Sequence, residues 1–101
     1  MEDKKYAVIF TAQMTNPDKE YYATAKKMRE LAINQYGCTD FTSVFEDSNE
    51  ITVSYWENLE QINAWKQDIE HLKAQNMGKS KWYKTYRVQV VEVLREYSSH
   101  L

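Results

Sequence analysis

Six segments with two different apolar periods follow one another along the chain, and their order constrains the fold more than any single residue does. From Tyr6 to Met14, the residues Tyr6, Val8, Phe10, Ala12 and Met14 alternate with Ala7, Ile9, Thr11 and Gln13, so the period is two and the second face is partly apolar too. That pattern predicts a central strand. Asn16 is the expected N-cap of the next segment, with Pro17 at its first position, Asp18 and Glu20 in its first turn, and Lys26, Lys27 and Arg29 further along to complement the helix dipole. Tyr21, Ala25, Met28, Leu31, Ala32 and Gln35 recur at helical spacing, and Gly37 stands where a helix would end.

Two short alternating runs follow, Phe41 to Phe45 and Ile51 to Trp56, joined by a polar hairpin connector from Glu46 to Glu50. Asn58 and Gln61 form a capping-box pattern ahead of the apolar stripe Leu59, Ile62, Trp65, Ile69 and Leu72, with Asp68 as an internal cap and Gly78 as a terminator. The aromatic stretch Trp82, Tyr83 and Tyr86 leads into a long β-like run from Arg87 to Tyr97. Its apolar parity slips from Tyr86, Val88 and Val90 to Val91 and Val93, which predicts a bulge near Val90. The order is β-α-β-β-α-β, the α+β ferredoxin-like arrangement in which helices cover one face of a four-stranded antiparallel sheet. Apolar side chains on both parities of the strands leave a second face to cover, and a second copy of the chain is the expected cover.

Only two Gly and one Pro interrupt this regularity, and 101 residues suit a single domain spanning 1–101. A net charge of -2 supplies no basic footprint for a phosphate backbone, so nucleic acid is not an expected partner. RNA-recognition motifs share the same element order, but Ile51 to Trp56 lacks their basic-glycine-aromatic pattern. No apolar run reaches membrane-spanning length and the start of the chain carries no signal-peptide pattern, so a cytoplasmic location is expected. Cys38 has no second cysteine to pair with, and two widely spaced histidines offer no readable metal site.

The segment from Ile51 to Glu57, then Ala64, Trp65 and Lys66, then the run from His71 to Gly78, then Trp82 with Tyr83, and Tyr86 to Val88 resembles the antibiotic biosynthesis monooxygenase family. The resemblance spans Tyr6 to about Tyr97 and implies a homodimeric α+β barrel. It also implies cofactor-independent oxygenation of a small aromatic or phenolic compound held between sheet and helix. In that chemistry a base deprotonates the phenol, the electron-rich anion meets O₂, and the protein supplies a dry pocket and a donor for the anionic oxygen. The residues matching the family pattern are Trp65, with His71 as the base and Gln61 or Asn63 as the donor. Phe10, Trp82, Tyr83, Tyr86 and Arg87 would line the substrate pocket, Arg87 as an anion partner. Six residues along an unbroken helix separate Trp65 and His71 by about 120°, so their convergence requires a bend, which Asp68 would provide.

Haem degradation is the alternative chemistry the resemblance implies. Its axial histidine would fall ten residues after Trp65, where Gln75 stands, and Gln13 is only a loose match to its first-strand amide. A non-catalytic ligand-binding or structural homodimer is the competing class, in which the same aromatics are packing. Trp56 is expected to staple the start of the second helix, Lys79, Lys81 and Lys84 to form a solvated basic loop, and His100 to be an uninvolved tail residue.

Overall fold

A computed structural model describes residues 5–15, 18–75 and 82–99, with 70–75 as backbone alone. The elements are β1 (Tyr6–Met14), α1 (Lys19–Asn34), β2 (Asp40–Glu46), β3 (Asn49–Trp56), α2 (Leu59–Gln75) and β4 (Tyr83–Glu92). They form one four-stranded sheet in the order β2-β3-β1-β4, with every neighbouring pair antiparallel. This is the ferredoxin-like α+β fold, with β1 and β3 in the centre.

The start of α1 differs from the expectation. Asp18, in extended conformation, is the N-cap, and its Oδ1 accepts from the Tyr21 backbone N–H at 2.9 Å. Asn16 and Pro17 lie outside the described residues. Aspartate takes this role because its short side chain reaches an N–H three residues on that the helix itself cannot satisfy. At the other end, Gln35 and Tyr36 both donate their backbone N–H to Leu31, and Gly37 turns the chain away at φ 86°. A Cβ at Gly37 would lie 2.5 Å from Gln61 Nε2, so glycine serves both the turn and the close approach of α2.

The hairpin is tighter than the five-residue connector the sequence suggests. Glu46 pairs with Asn49, leaving Asp47 and Ser48 as the turn, with Asp47 at φ 56°. The capping box of α2 forms: Asn58 Oδ1 accepts from Gln61 N–H at 2.9 Å, and Gln61 Oε1 reaches back to accept from Glu57 N–H at 3.1 Å. Asp68 does not restart the helix. α2 runs unbroken past it, and its carboxylate accepts from the Tyr36 hydroxyl at 2.5 Å, tying the end of α1 to α2. The terminator Gly78 lies outside the described residues.

Two core clusters join helices to sheet. In the first, Val8, Ala32, Cys38, Trp56, Ile62 and Trp65 pack together. Trp56 is fully buried, donates its indole N–H to Ser54 Oγ at 2.9 Å, and lies 5.0 Å from the Trp65 ring. It is therefore the centre of this core, where it shares a cluster with Ile62 from the first turn of α2. The second cluster gathers Ala12, Met14, Tyr21 and Trp82, with Phe10, Ala25 and Tyr83 against it.

The last strand departs most from the sequence pattern. β4 ends at Glu92, so the β-like run does not continue to Tyr97 as strand. The register shift falls between Gln13 and Met14, which pair with Thr85 and Tyr83, so the extra residue is Lys84 and there is no bulge at Val90. The parity slip near Val90 has another cause. β4 is an edge strand whose residues from Lys84 onward are exposed on both faces, so burial within this chain imposes no single apolar parity there. Among the described residues, no helix is long and apolar enough to cross a membrane.

Candidate functional site

The bulge at Lys84 creates the feature that distinguishes the second cluster. In a regular strand Tyr83 and Tyr86, three residues apart, would face opposite sides of the sheet. One extra residue between them puts both on the helix-facing side, Tyr83 opposite Met14 and Tyr86 opposite Ala12. There they meet Phe10: the ring centroids are 5.5 Å apart for Phe10 and Tyr83, 6.1 Å for Phe10 and Tyr86, and 5.6 Å for Tyr83 and Tyr86. Tyr86 is 59% exposed, and Val88 and Val90 beyond it on the same side are 52% and 50% exposed. An apolar, aromatic surface thus lies open along β4 where the helices leave the sheet uncovered.

The inner edge of this surface is polar. On β3 the even-numbered residues Glu50, Thr52, Ser54 and Trp56 face the helices and are buried, although Glu50 carries a carboxyl. Its two oxygens accept from the Tyr21 hydroxyl and from Thr52 Oγ1, the latter at 2.6 Å, and Ser43 Oγ lies 2.7 Å from Thr52 Oγ1. Tyr83 lies beside Tyr21, with the two rings edge to face at 5.9 Å. Burial pushes the Tyr21 phenol well above its ordinary range, reinforced by the bond it donates to Glu50. Tyr83 is pushed up to about 12, chiefly by burial, with the nearby Glu50 charge adding to the shift. Beside them Trp82 packs edge to face on Tyr21 at 5.1 Å, and its buried indole N–H has no acceptor among the described residues.

The residues singled out from the sequence fall in different places. Phe10, Trp82, Tyr83 and Tyr86 come together, Trp82 from within the core. Arg87 does not join them. Its partner in register is Thr11, so it lies on the opposite face of the sheet from Phe10 and Tyr86, and within this chain it cannot share their pocket. Trp65 belongs to the other cluster, where its indole N–H donates to the Met28 carbonyl at 2.9 Å and fastens α2 to α1. Gln61 is occupied by the cap of α2, and Asn63, two residues along, is exposed. His71 lies on α2, and its side chain is outside the described residues. Because α2 has no break at Asp68, Trp65 and His71 keep the roughly 120° separation of a regular helix.

Tyr21 and Glu50 were not among the residues singled out. The signal that could have found Glu50 is parity: it shares a strand face with Trp56, so a buried Trp56 implies a buried Glu50. Cys38 is buried, and its thiol is pushed up by burial, which disfavours a reactive thiolate. Among the described residues, no group of three metal-ligating side chains occurs.

No family model matches the sequence. The chain is 42% identical over 96 residues to the uncharacterized protein YqjZ of Bacillus subtilis, covering 94% of this chain and 84% of that protein. Among solved structures, SnoaB of Streptomyces nogalater, a cofactor-independent oxygenase, matches with a TM-score of 0.75 at 8% identity, covering 96% of this chain and all of that one. Rv0793 of Mycobacterium tuberculosis matches with a TM-score of 0.73 at 14% identity, over 92% and 98% of the two chains. A Nitrosomonas europaea protein named as a candidate antibiotic biosynthesis monooxygenase gives 0.71 at 13% identity, over 93% and 94%. The fold is the one shared with SnoaB and its neighbours, and sequence identity at that level to YqjZ leads to one assignment: the chain belongs to the family of YqjZ.

Proposed function

We propose that this protein is a cofactor-independent monooxygenase that binds a small aromatic or phenolic compound against Phe10, Tyr83 and Tyr86, between the sheet and α2. The observation that supports this reading is the open aromatic surface itself, three rings in mutual contact with Tyr86, Val88 and Val90 exposed beside them. A flat ring gains most from such a place, because stacked and edge-to-face contacts add to the apolar area removed from water. SnoaB, which shares the fold, is a cofactor-independent oxygenase. His71 is the proposed base, since imidazole titrates near neutral pH. Trp65 and Gln61 contribute by fixing α2 over the sheet, and Asn63 is the amide still available as a donor.

A homodimer is part of the same proposal. The face of the sheet away from the helices carries Val44, Ile51 and Val91 exposed and Ile9, Val53 and Tyr55 half-buried, an apolar surface drawn from all four strands. Such a face suits the sheet of a second copy. Sedimentation should give twice the chain mass.

Oxygen uptake with a panel of naphthols and hydroquinones tests the activity. Saturable uptake is expected, with a loss of about a hundredfold in His71→Ala and ring binding unchanged. Rings that bind without any oxygen uptake would make the protein a ligand-binding dimer. Uptake unaltered in His71→Ala would remove His71 from the reaction.

A further inference from the structure

The face of the sheet away from the helices sorts its charges by strand. Within the central strands β1 and β3 the outward residues, Ala7 to Gln13 and Asn49 to Tyr55 at alternate positions, carry no carboxylate, ammonium or guanidinium. β2 and β4 are the two edges. On β2 the outward side holds Asp40 and Glu46, which pair with the outward Tyr55 and Asn49. On β4 it holds Arg87, which pairs with the outward Thr11. The outer face is thus uncharged along its middle, acidic at one edge and basic at the other.

Resting on the homodimer proposed above, we propose that two copies pack these faces together with the two-fold axis parallel to the strands. β4 of each copy then lies over β2 of the other, and Arg87 meets Glu46 at both edges. A sheet packed face to face on its own copy, with strands aligned, has two choices for the axis between them, along the strands or across them. An axis across the strands sets β2 over β2 and β4 over β4, so like charges face each other. An axis along the strands exchanges the edges and brings opposite charges together. It also leaves every residue at its own height along the strands, which fixes the register. Arg87 is level with Thr11, Ile51 and Val44 across the sheet, so it stands over Val44 of the other copy, with Glu46 two residues along on the same side of β2. Stacked sheets lie about 10 Å apart, a gap that an arginine and a glutamate span together. Both side chains are exposed in the single chain. At the border of an apolar patch, charges of this kind decide which way two surfaces meet.

Sedimentation equilibrium of the full chain and of charge-reversed variants tests this. Arg87→Glu and Glu46→Arg should each raise the Kd of the dimer about tenfold, because each sets like charges together at both edges. An equimolar mixture of the two variants should dimerise within about threefold of the unaltered protein, since their heterodimer restores both pairs with the signs exchanged. An effect confined to one chain is not repaired by mixing. If Glu46→Arg fails to fold, Arg87→Glu combined with Glu46→Gln takes its place, and this double variant should dimerise more tightly than Arg87→Glu alone. Single variants that dimerise as the unaltered protein does, a mixture no tighter than its components, or a double variant no tighter than Arg87→Glu overturn the orientation and leave the homodimer standing. An unaltered chain that sediments as a monomer overturns both.

Discussion

In the cluster around Trp56 and Trp65, each indole N–H ends on one acceptor, Ser54 Oγ and the Met28 carbonyl, and the rings are shut in by both helices. In the cluster around Tyr21, a carboxylate is buried with hydroxyls arrayed about it, one indole N–H lacks an acceptor among the described residues, and the rings open to the surface at Tyr86. The two clusters share β1 and are similarly rich in aromatics. The first is arranged as a core arranges itself, with every polar atom matched and the apolar area closed. The second carries polar costs that packing alone does not require, because replacing a buried carboxylate by apolar side chains is often neutral or stabilising. Buried polarity beside an open ring surface sets the second cluster apart, and the closed core next to it can carry the fold's stability.

Substitutions in the closed cluster should therefore act on stability. Trp56→Ala removes the largest fully buried side chain and should cost about 3–5 kcal/mol, a large part of what a domain this size possesses. Urea unfolding would show it as a lowered midpoint. A loss below about 1 kcal/mol would mean that the first cluster is not the structural one. Trp65→Phe keeps most of the ring contact with Trp56 and Phe41 but removes the indole N–H that bonds the Met28 carbonyl, for about 1 kcal/mol. Ring-binding affinity should be unaltered in that variant. If it changes along with stability, Trp65 reaches the ligand and the division between the clusters fails.

The open cluster should respond to pH where the closed one does not. Tyr83 is held protonated in the folded chain to about 12, against an ordinary value of 10.0, and Tyr21 is raised as well. Stability from a raised folded value is fully present below the ordinary value and disappears as pH rises through the folded one. Urea midpoints should hold steady up to about pH 10 and fall between pH 10 and 12. Tyr83→Phe should flatten part of that fall, whereas Trp65→Phe should leave its slope as it was.

The comparison also separates what the residues announce from what they conceal. The element order, the central strand, the capping box at Asn58 and Gln61, and the apolar stripe of α2 are local matters, settled by neighbours within a turn or two, and they stand in the sequence plainly. Asn58→Ala tests that local layer: it removes the acceptor for Gln61 N–H and should cost about 1 kcal/mol without changing which rings bind. The candidate site is a different kind of object. Tyr21 and Glu50 are 29 residues apart and meet only because α1 packs back across the sheet, so along the chain one resembles a helix-stripe residue and the other part of a polar connector. The bulge at Lys84 is equally hidden. It depends on where β4 settles against β1, and no glycine or change of alternation marks it. The placement of Arg87 is hidden for the same reason: it is next to Tyr86 in sequence but lies on the opposite face of the sheet, and only the register says so.

Tyr86 gives the smallest effect on stability and the sharpest test of the contrast. Its side chain is 59% exposed and rests on Phe10 and Tyr83 without closing any part of the core, so Tyr86→Ala should change the urea midpoint by less than about 0.5 kcal/mol. The same substitution removes one of three walls against which a flat ring would lie, and loss of one aromatic contact with its buried area should weaken ring binding about tenfold. A residue that barely affects folding yet governs ligand affinity is what a site wall should be. If Tyr86→Ala instead destabilises the chain by several kcal/mol with binding intact, the open surface is a poorly covered part of the core, and the contrast between the two clusters reduces to a difference in packing.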